Sequence, residues 1–343
     1  MLRQFVIPVA LLAGVSFAQA PAAGPSPDVL QRLLQRHQPV ARAFEFAAIG
    51  DQQYGPEGER KWPALSTSLN RAANISFIVH AGDIKSGDTV CSDELFQDRL
   101  QAFNAFEVPM IYTPGDNEWT DCHRANNGSY DSLERLDYLR RVFYKDNRSF
   151  GRQPMTVSQQ SEDPNYRNYT ENAIWSMGNV VFATLHVVGS NNNLGRNPAN
   201  DREYRERNAA NFNWLKTVFS VARDSGFAGV VIVTQANPGW SGSPVRVSAL
   251  GTGFRDTFFD LEDEAVVFNR PVLVIMGDSH IFRIDKPMIG ARSGQVLENV
   301  LRLEVPGSAY VHWVRVKVDP AKRGLLSFEP EDVVENYAPQ QRP

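Results

Sequence analysis

Four apolar runs in this 343-residue chain each end in Gly-Asp, and that repetition constrains the fold more than any other feature. They close at Gly50-Asp51, Gly82-Asp83, Gly115-Asp116 and Gly277-Asp278. A run such as Phe77-Ile78-Val79-His80 is short, apolar and β-prone, and reads as a buried strand. Glycine lets the chain turn sharply as it leaves the strand. The carboxylate that follows then lies at the strand's carboxyl end, where open α/β sheets place their ligands. One Gly-Asp is an ordinary turn dipeptide. Four of them, behind four apolar runs, bring four acids to one edge, where they repel each other unless a cation lies between them. His280, two residues beyond Asp278, adds an imidazole to that edge.

The remaining periodicities fit an α/β chain. Helices are expected over 29–37, 63–73, 93–106, 208–224 and 254–267, with strands over 44–49, 75–80, 110–113, 230–234 and 272–276. Pro63 is placed in the first turn of its helix. The opening βαβαβ order implies a parallel sheet with right-handed crossovers. Residues 174–188 read as a hairpin around Gly178-Asn179, and the runs at 301–305, 311–318 and 325–328 as an antiparallel closing sheet. Between them, 125–172 is a polar insertion with one helix at 133–144, of the length expected for a functional loop or lid. The domain spans 41–330, after a linker and short helix at 21–40 and before a tail at 331–343. No G-x-G-x-x-G opens a helix after the first strand, so a dinucleotide-binding fold is excluded.

With 42% hydrophobic residues the chain has ample core material, and its net charge of −4 argues against a nucleic-acid surface. Arg3, the apolar stretch to Phe17 and Ala18-Gln19-Ala20 together have the form of a secretory signal peptide over 1–20. An exported protein, periplasmic or secreted, is expected, with no membrane span left after cleavage. Cys91 follows the Asp83 turn and Cys122 the Asp116 turn. If both turns share one sheet edge, a disulfide between them is geometrically reasonable and survives outside the cytoplasm; two unpaired thiols are the alternative.

In order and spacing these segments resemble the calcineurin-like metallophosphoesterases, whose pattern is D-x-H, G-D, G-N-H-[DE], a strand ending in histidine, and G-H-x-H. Gly82-Asp83 matches outright, Pro114 to Glu118 aligns on P-G-N-H-E, and Gly277 to His280 aligns on G-H-x-H. The resemblance implies a four-layer α/β/β/α sandwich of two mixed sheets flanked by helices. It also implies metal ligands at Asp51, Gln53, Asp83, Asp116, Gln235, Asp278 and His280, with Asp83 bridging. Gln53, Asp116, Gln235 and Asp278 replace the family's usual ligands, and Asn117 replaces its general-acid histidine. For Gln235, hydrogen bonding to a loop is the alternative to ligation.

That donor set is rich in oxygen, which favours Mn²⁺ or Mg²⁺ over Zn²⁺, as one or two ions. Asparagine cannot give a proton to a leaving group, although it can hydrogen-bond a phosphoryl oxygen. Near Asn117, His123 is therefore the candidate acid, and Arg124 or Lys85 the candidate phosphate clamp. The expected activity is hydrolysis of a small phosphate monoester or diester by metal-activated water. The alternative is a non-catalytic relative that keeps the fold and at most one metal, and binds a ligand or partner.

Overall fold

The structure is a computed structural model and describes residues 25–337. The expected signal peptide lies outside the described residues. Helix α1 (Pro27–Arg36) leads into β1 (Phe44–Ile49), α2 (Gly55–Arg71), β2 (Ile75–His80), α3 (Asp93–Asn104) and β3 (Met110–Tyr112). The first three strands are parallel neighbours, as the alternating pattern predicts. Two late strands, β13 (Trp313–Val318) and β14 (Leu326–Glu331), complete a five-stranded sheet of order β14-β13-β1-β2-β3.

A seven-stranded sheet is built from β4 (Ser158–Gln159), β5 (Ala173–Met177), β6 (Val180–Thr184), β7 (Gly229–Val233), β9 (Val272–Met276), β10 (Arg283–Asp285) and β12 (Val300–Glu304), in the order β10-β12-β9-β7-β6-β5-β4. The small pair β8 (Val245–Arg246) and β11 (Met288–Ile289) stands apart from both. The strands after His280 therefore form no single closing sheet. β12 runs parallel to β9, whereas β13 runs antiparallel to β1 in the other sheet. Periodicity shows which face of a strand is buried but not which sheet receives it.

Alternation along the strands sorts side chains into layers. Phe44, Phe46 and Ala48 of β1, with Phe77 and Val79 of β2, meet Phe182, Val231 and Leu273 between the sheets. Phe46 stacks on Phe77 with ring centroids 5.1 Å apart, and Phe182 meets Phe77 edge-on at 5.2 Å. Each such pair adds about 1 kcal/mol beyond its buried area. The opposite faces, Ala47, Ile49 and Ile78, pack on Trp62, Leu65, Phe96 and Phe103 from α2 and α3. Across the molecule, α6 (Pro198–Asp224) and α7 (Arg255–Phe268) cover the seven-stranded sheet through Trp214, Leu215, Val218 and Phe258. Helix, sheet, sheet, helix: the four-layer sandwich is the observed architecture.

Three expectations need correction. Helix α2 starts at Gly55, so Pro56 occupies its first turn and Pro63 lies inside it. Burial of Trp62, Leu65 and Leu69 on one face holds the helix through the missing backbone donor. Helix α6 starts ten residues early, at Pro198, capped by the Asn197 side chain. Its polar first half buries Arg207 and Asn208, which a search for apolar spacing passes over. The polar stretch 125–172 is an ordered part of the sandwich: α4 (Ser132–Phe143) joins the α2–α3 layer and β4 forms an edge strand.

Two buried histidines each oppose folding as pH falls. His80 is 1% exposed between Phe103 and Tyr112, its Nδ1 has no hydrogen-bond partner, and burial lowers its pKa to about 3. Burial likewise lowers His186 to about 4. Both are neutral in the folded protein at pH values where the unfolded chain protonates them, below about 6.5. Their contribution is complete above that pH and is lost as pH falls, by at most about 1.4 kcal/mol per pH unit for each histidine. Buried acids such as Asp278, raised to about 6, respond in the opposite sense, so the histidine effect is read as a difference: the urea midpoint of His80→Phe should rise relative to wild type as pH falls from 6.5 to 4. A constant difference across that range would refute this account.

Candidate functional site

The four aspartates sit where the strands end. Asp51 follows β1, Asp83 follows β2, Asp116 follows β3 and Asp278 follows β9, and all four are mostly or fully buried. Five of the seven candidate ligands, Asp51 (φ 52°), Gln53 (61°), Asp83 (57°), Asp278 (76°) and His280 (60°), adopt the left-handed backbone conformation. Such conformations cost roughly 1–3 kcal/mol for an ordinary residue and cluster where function requires them. The glycines have a further role besides turning. A Cβ on Gly115 would collide with the Asp83 carboxylate, and one on Gly277 with Asp51 Oδ2. Gly115 and Gly277 thus each make room for the acid of another Gly-Asp turn.

Asp83 is the centre of the cluster. Its Oδ2 accepts from Tyr54 Oη (2.8 Å), Asn117 Nδ2 (3.0 Å) and Gln235 Nε2 (3.2 Å), and its Oδ1 from the Asn117 backbone N–H (3.2 Å). Burial, and then the charges of Asp116, Glu118, Asp51 and Asp278, raise its pKa well above the carboxylate range. Asp116 is raised well above that range too, first by burial and then by Asp121 and Asp278. Ser190 Oγ lies 2.8 Å from both Asp116 Oδ2 and Asp121 Oδ1. One hydroxyl proton cannot serve both contacts, so the second needs a proton on a carboxyl group or another positive charge.

Asp51 differs from the others. Its Oδ1 accepts from the Asp278 N–H at 2.9 Å and lies 3.5 Å from His280 Nε2. Its Oδ2 is buried with no hydrogen-bond partner. Asp278 Oδ2 accepts from the Asn237 N–H at 2.9 Å, and burial raises this acid to about 6. His280 is raised as well: burial lowers it, but the Asp51 hydrogen bond and charge outweigh that.

Gln235 follows the loop alternative. Its Oε1 accepts from the Gly189 N–H at 2.7 Å while its amide donates to Asp83, so its oxygen is occupied. Gln53 is 4% exposed, and its backbone oxygen accepts from Arg99. Among the described residues no three His, Cys, Asp or Glu side chains form a ready-made metal-holding group. Asp83 and Asp278 accept protein hydrogen bonds, while Asp51 keeps one buried oxygen without a partner.

The candidate catalytic residues separate. Asn117 is 9% exposed and bound to Asp83. Arg124 pairs with Asp121 at 2.7 Å, and its Nη1 and Asn117 Oδ1 both stand over Gly87, within 3.4 Å of where a Cβ would lie. His123 is exposed. It ends a 3₁₀ turn, Thr120–His123, and places its Nδ1 2.8 Å from the Thr120 carbonyl oxygen. Lys85 is fully buried near Glu118 and Asp83; burial lowers it to about 8 against the pull of those acids. The disulfide Cys91–Cys122 is present, and both Sγ atoms lie 3.6 Å from the Asn117 carbonyl oxygen.

Sequence reading missed three participants. Tyr54 lies beside Gln53 but carries no motif of its own. Glu118 gathers the Asp83 N–H, the Gly115 N–H and Tyr112 Oη onto Oε1, clamping two of the turns together. Arg196 approaches Asp121 to 3.7 Å from a segment 75 residues away, a proximity that no local pattern encodes.

No curated protein matches the chain. Among solved structures it is similar to PhoD, at 14% identity and TM-score 0.52, covering 92% of this chain and 72% of that one, a likeness of fold. GAP50, the anchor in the inner membrane complex of Plasmodium, matches at 10% identity and TM-score 0.45, covering 86% of this chain and 94% of that one. The 5′-nucleotidase of Candida albicans matches at 10% and 0.44, covering 88% and 53%. The model of the calcineurin-like phosphoesterases matches residues 44–282, which contain every Gly-Asp turn described above; the chain belongs to that family.

Proposed function

We propose that the chain is an exported, divalent-cation-dependent phosphoesterase acting on a small phosphate monoester or diester. The observation that carries this reading is the buried, unpartnered Asp51 Oδ2 within a group of mutually repelling aspartates. Leaving such an oxygen unsatisfied is costly unless something positive meets it. In chemistry the donors fit a hard cation: Asp51, Asp83, Asp116 and Asp278 would hold it, with Gln53 and His280 as neutral donors. Oxygen donors favour Mn²⁺ or Mg²⁺ over Zn²⁺. Because Asp83 already accepts four hydrogen bonds, one ion at the Asp51 end fits better than two.

When bound, such an ion supplies charge for the phosphoryl oxygens and acidifies a water. The chain's own residues do the rest. Arg124 and Arg196, both partly exposed beside Asp121, attract the phosphate to the mouth of the site. Asn117 can donate to a phosphoryl oxygen but has no proton to release. Export is supported by the disulfide together with the form of the amino-terminal sequence.

The test is hydrolysis of chromogenic phosphate mono- and diesters by protein stripped with EDTA and resupplied with Mn²⁺, Mg²⁺ or Zn²⁺. Activity should be absent after stripping and return with Mn²⁺ or Mg²⁺. No hydrolysis with any ion would reject the reading. The non-catalytic alternative is favoured by one specific observation, the four protein donors on Asp83; a cation bound without turnover would establish it.

A further inference from the structure

We propose that the phosphoester taken by this site carries an aromatic leaving group, so that the substrate class is an aryl phosphate. This rests on the phosphoesterase reading above and adds the substrate to it. His280 has two sides. One faces Asp51 through Nε2, and its Nδ1 lies 2.8 Å from the Ser308 carbonyl oxygen. The other lines a cavity of about 410 Å³ with Ile281, Phe282, Pro306, Tyr310 and His312. Ile281, Phe282 and Tyr310 are 51%, 39% and 65% exposed, three large apolar side chains around one opening next to a cluster of acids. Apolar surface concentrated beside a polar site marks the place of an apolar ligand group.

The slot is fixed relative to the acids. The Ser308 N–H donates to the Asp51 carbonyl oxygen at 2.9 Å, and Tyr310 closes a turn onto Gly307 at 2.8 Å. A Cβ on Gly307 would stand only 2.7 Å from the Asp51 Cβ, so the loop carrying Tyr310 lies directly against the first Gly-Asp turn. Three larger cavities, of about 550, 480 and 830 Å³, are lined by charged residues such as Arg42 and Lys317, Arg71 and Arg315, or Arg140 and Arg141. None of the seven candidate ligands lines any of them, whereas His280 lines the 410 Å³ cavity.

The chemistry of the leaving group points the same way. Hydrolysis forms a bond from a water oxygen to phosphorus and breaks the bond from phosphorus to the organic oxygen. That oxygen departs with the bonding electron pair and takes a proton, from the site or from solvent. Asn117 cannot provide one, His123 is exposed with its Nδ1 against the Thr120 carbonyl oxygen, and the two nitrogens of His280 lie against Ser308 and Asp51. A phenol titrates near 10, as tyrosine does, so a phenolate departs without a donated proton, which an alkoxide cannot do at comparable rate. An aromatic slot, with neither Asn117 nor His123 placed to protonate a leaving group, is matched to aryl esters on both counts.

The experiment measures kcat and KM for aryl phosphates of graded leaving-group acidity and for an alkyl phosphate, using metal-reloaded protein. Inhibition by phenylphosphonate and methylphosphonate is measured alongside. Wild type should prefer aryl to alkyl ester by about 100-fold or more in kcat/KM, with kcat rising as the leaving group becomes more acidic. Phenylphosphonate should bind at least about tenfold more tightly than methylphosphonate. The double variant Phe282→Ala/Tyr310→Ala should raise the aryl KM about tenfold and abolish the phosphonate preference; Tyr310→Ser, at an exposed position, reads the same effect if the double variant does not fold. Equal handling of aryl and alkyl compounds, or an unchanged aryl KM in a folded variant, would overturn this proposal alone. No hydrolysis of any ester would overturn the phosphoesterase reading and this proposal with it.

Discussion

Asp51→Asn is expected to lower phosphoester hydrolysis by about 10³-fold or more, while the metal-free protein melts within a few degrees of wild type. The substitution keeps the shape of the side chain and an oxygen able to accept the Asp278 N–H. It removes the negative charge on the only carboxylate among the four aspartates that has a buried, unpartnered oxygen. Asp83→Ala is a different experiment. Repulsion among four acids alone suggests that removing one would stabilise the apo protein. The structure reverses that expectation, because Tyr54, Asn117 and Gln235 all donate to Asp83 and would be left without an acceptor. Unsatisfied buried donors cost about 1–3 kcal/mol each, so Asp83→Ala should lose stability as well as activity. Circular dichroism melts with EDTA, paired with initial rates, separate the two variants. Full activity in Asp51→Asn would remove Asp51 from the site.

Removing the disulfide, as Cys91→Ser/Cys122→Ser, should cost about 3–4 kcal/mol by loop closure over a sequence separation of 31. It should also lower activity, since both sulfurs pack against the Asn117 carbonyl oxygen and Cys122 lies between Asp121 and Arg124, which pair. The urea midpoint under non-reducing conditions measures the first effect. The KM for a phosphate ester measures the second, and should rise because Arg124 loses its fixed position. A variant as stable as wild type would show that the bridge is incidental to the fold.

The positions of the acids were legible in the sequence because each follows an apolar strand, and a strand's end is a fixed point of a parallel sheet. The pairing of Cys91 with Cys122 followed from the same geometry. What the sequence concealed depends on long-range approach. Whether Gln235 presents an oxygen or a proton is decided by Gly189, 46 residues away. That His123 faces outward is decided by a 3₁₀ turn whose polar residues carry no periodicity. The distribution of the last strands between two sheets, and the burial of the polar half of α6, are also outcomes of tertiary packing. Local propensity does not encode them.

The sheet-edge aspartates are expected to hold a cation. Calorimetric titration of Mn²⁺ into EDTA-stripped, tag-free protein tests it most directly, with Asp51→Asn titrated beside wild type. One ion per wild-type chain, with no measurable binding by the variant, is the predicted result. Absence of binding by wild type, or undiminished binding by Asp51→Asn, would contradict the claim.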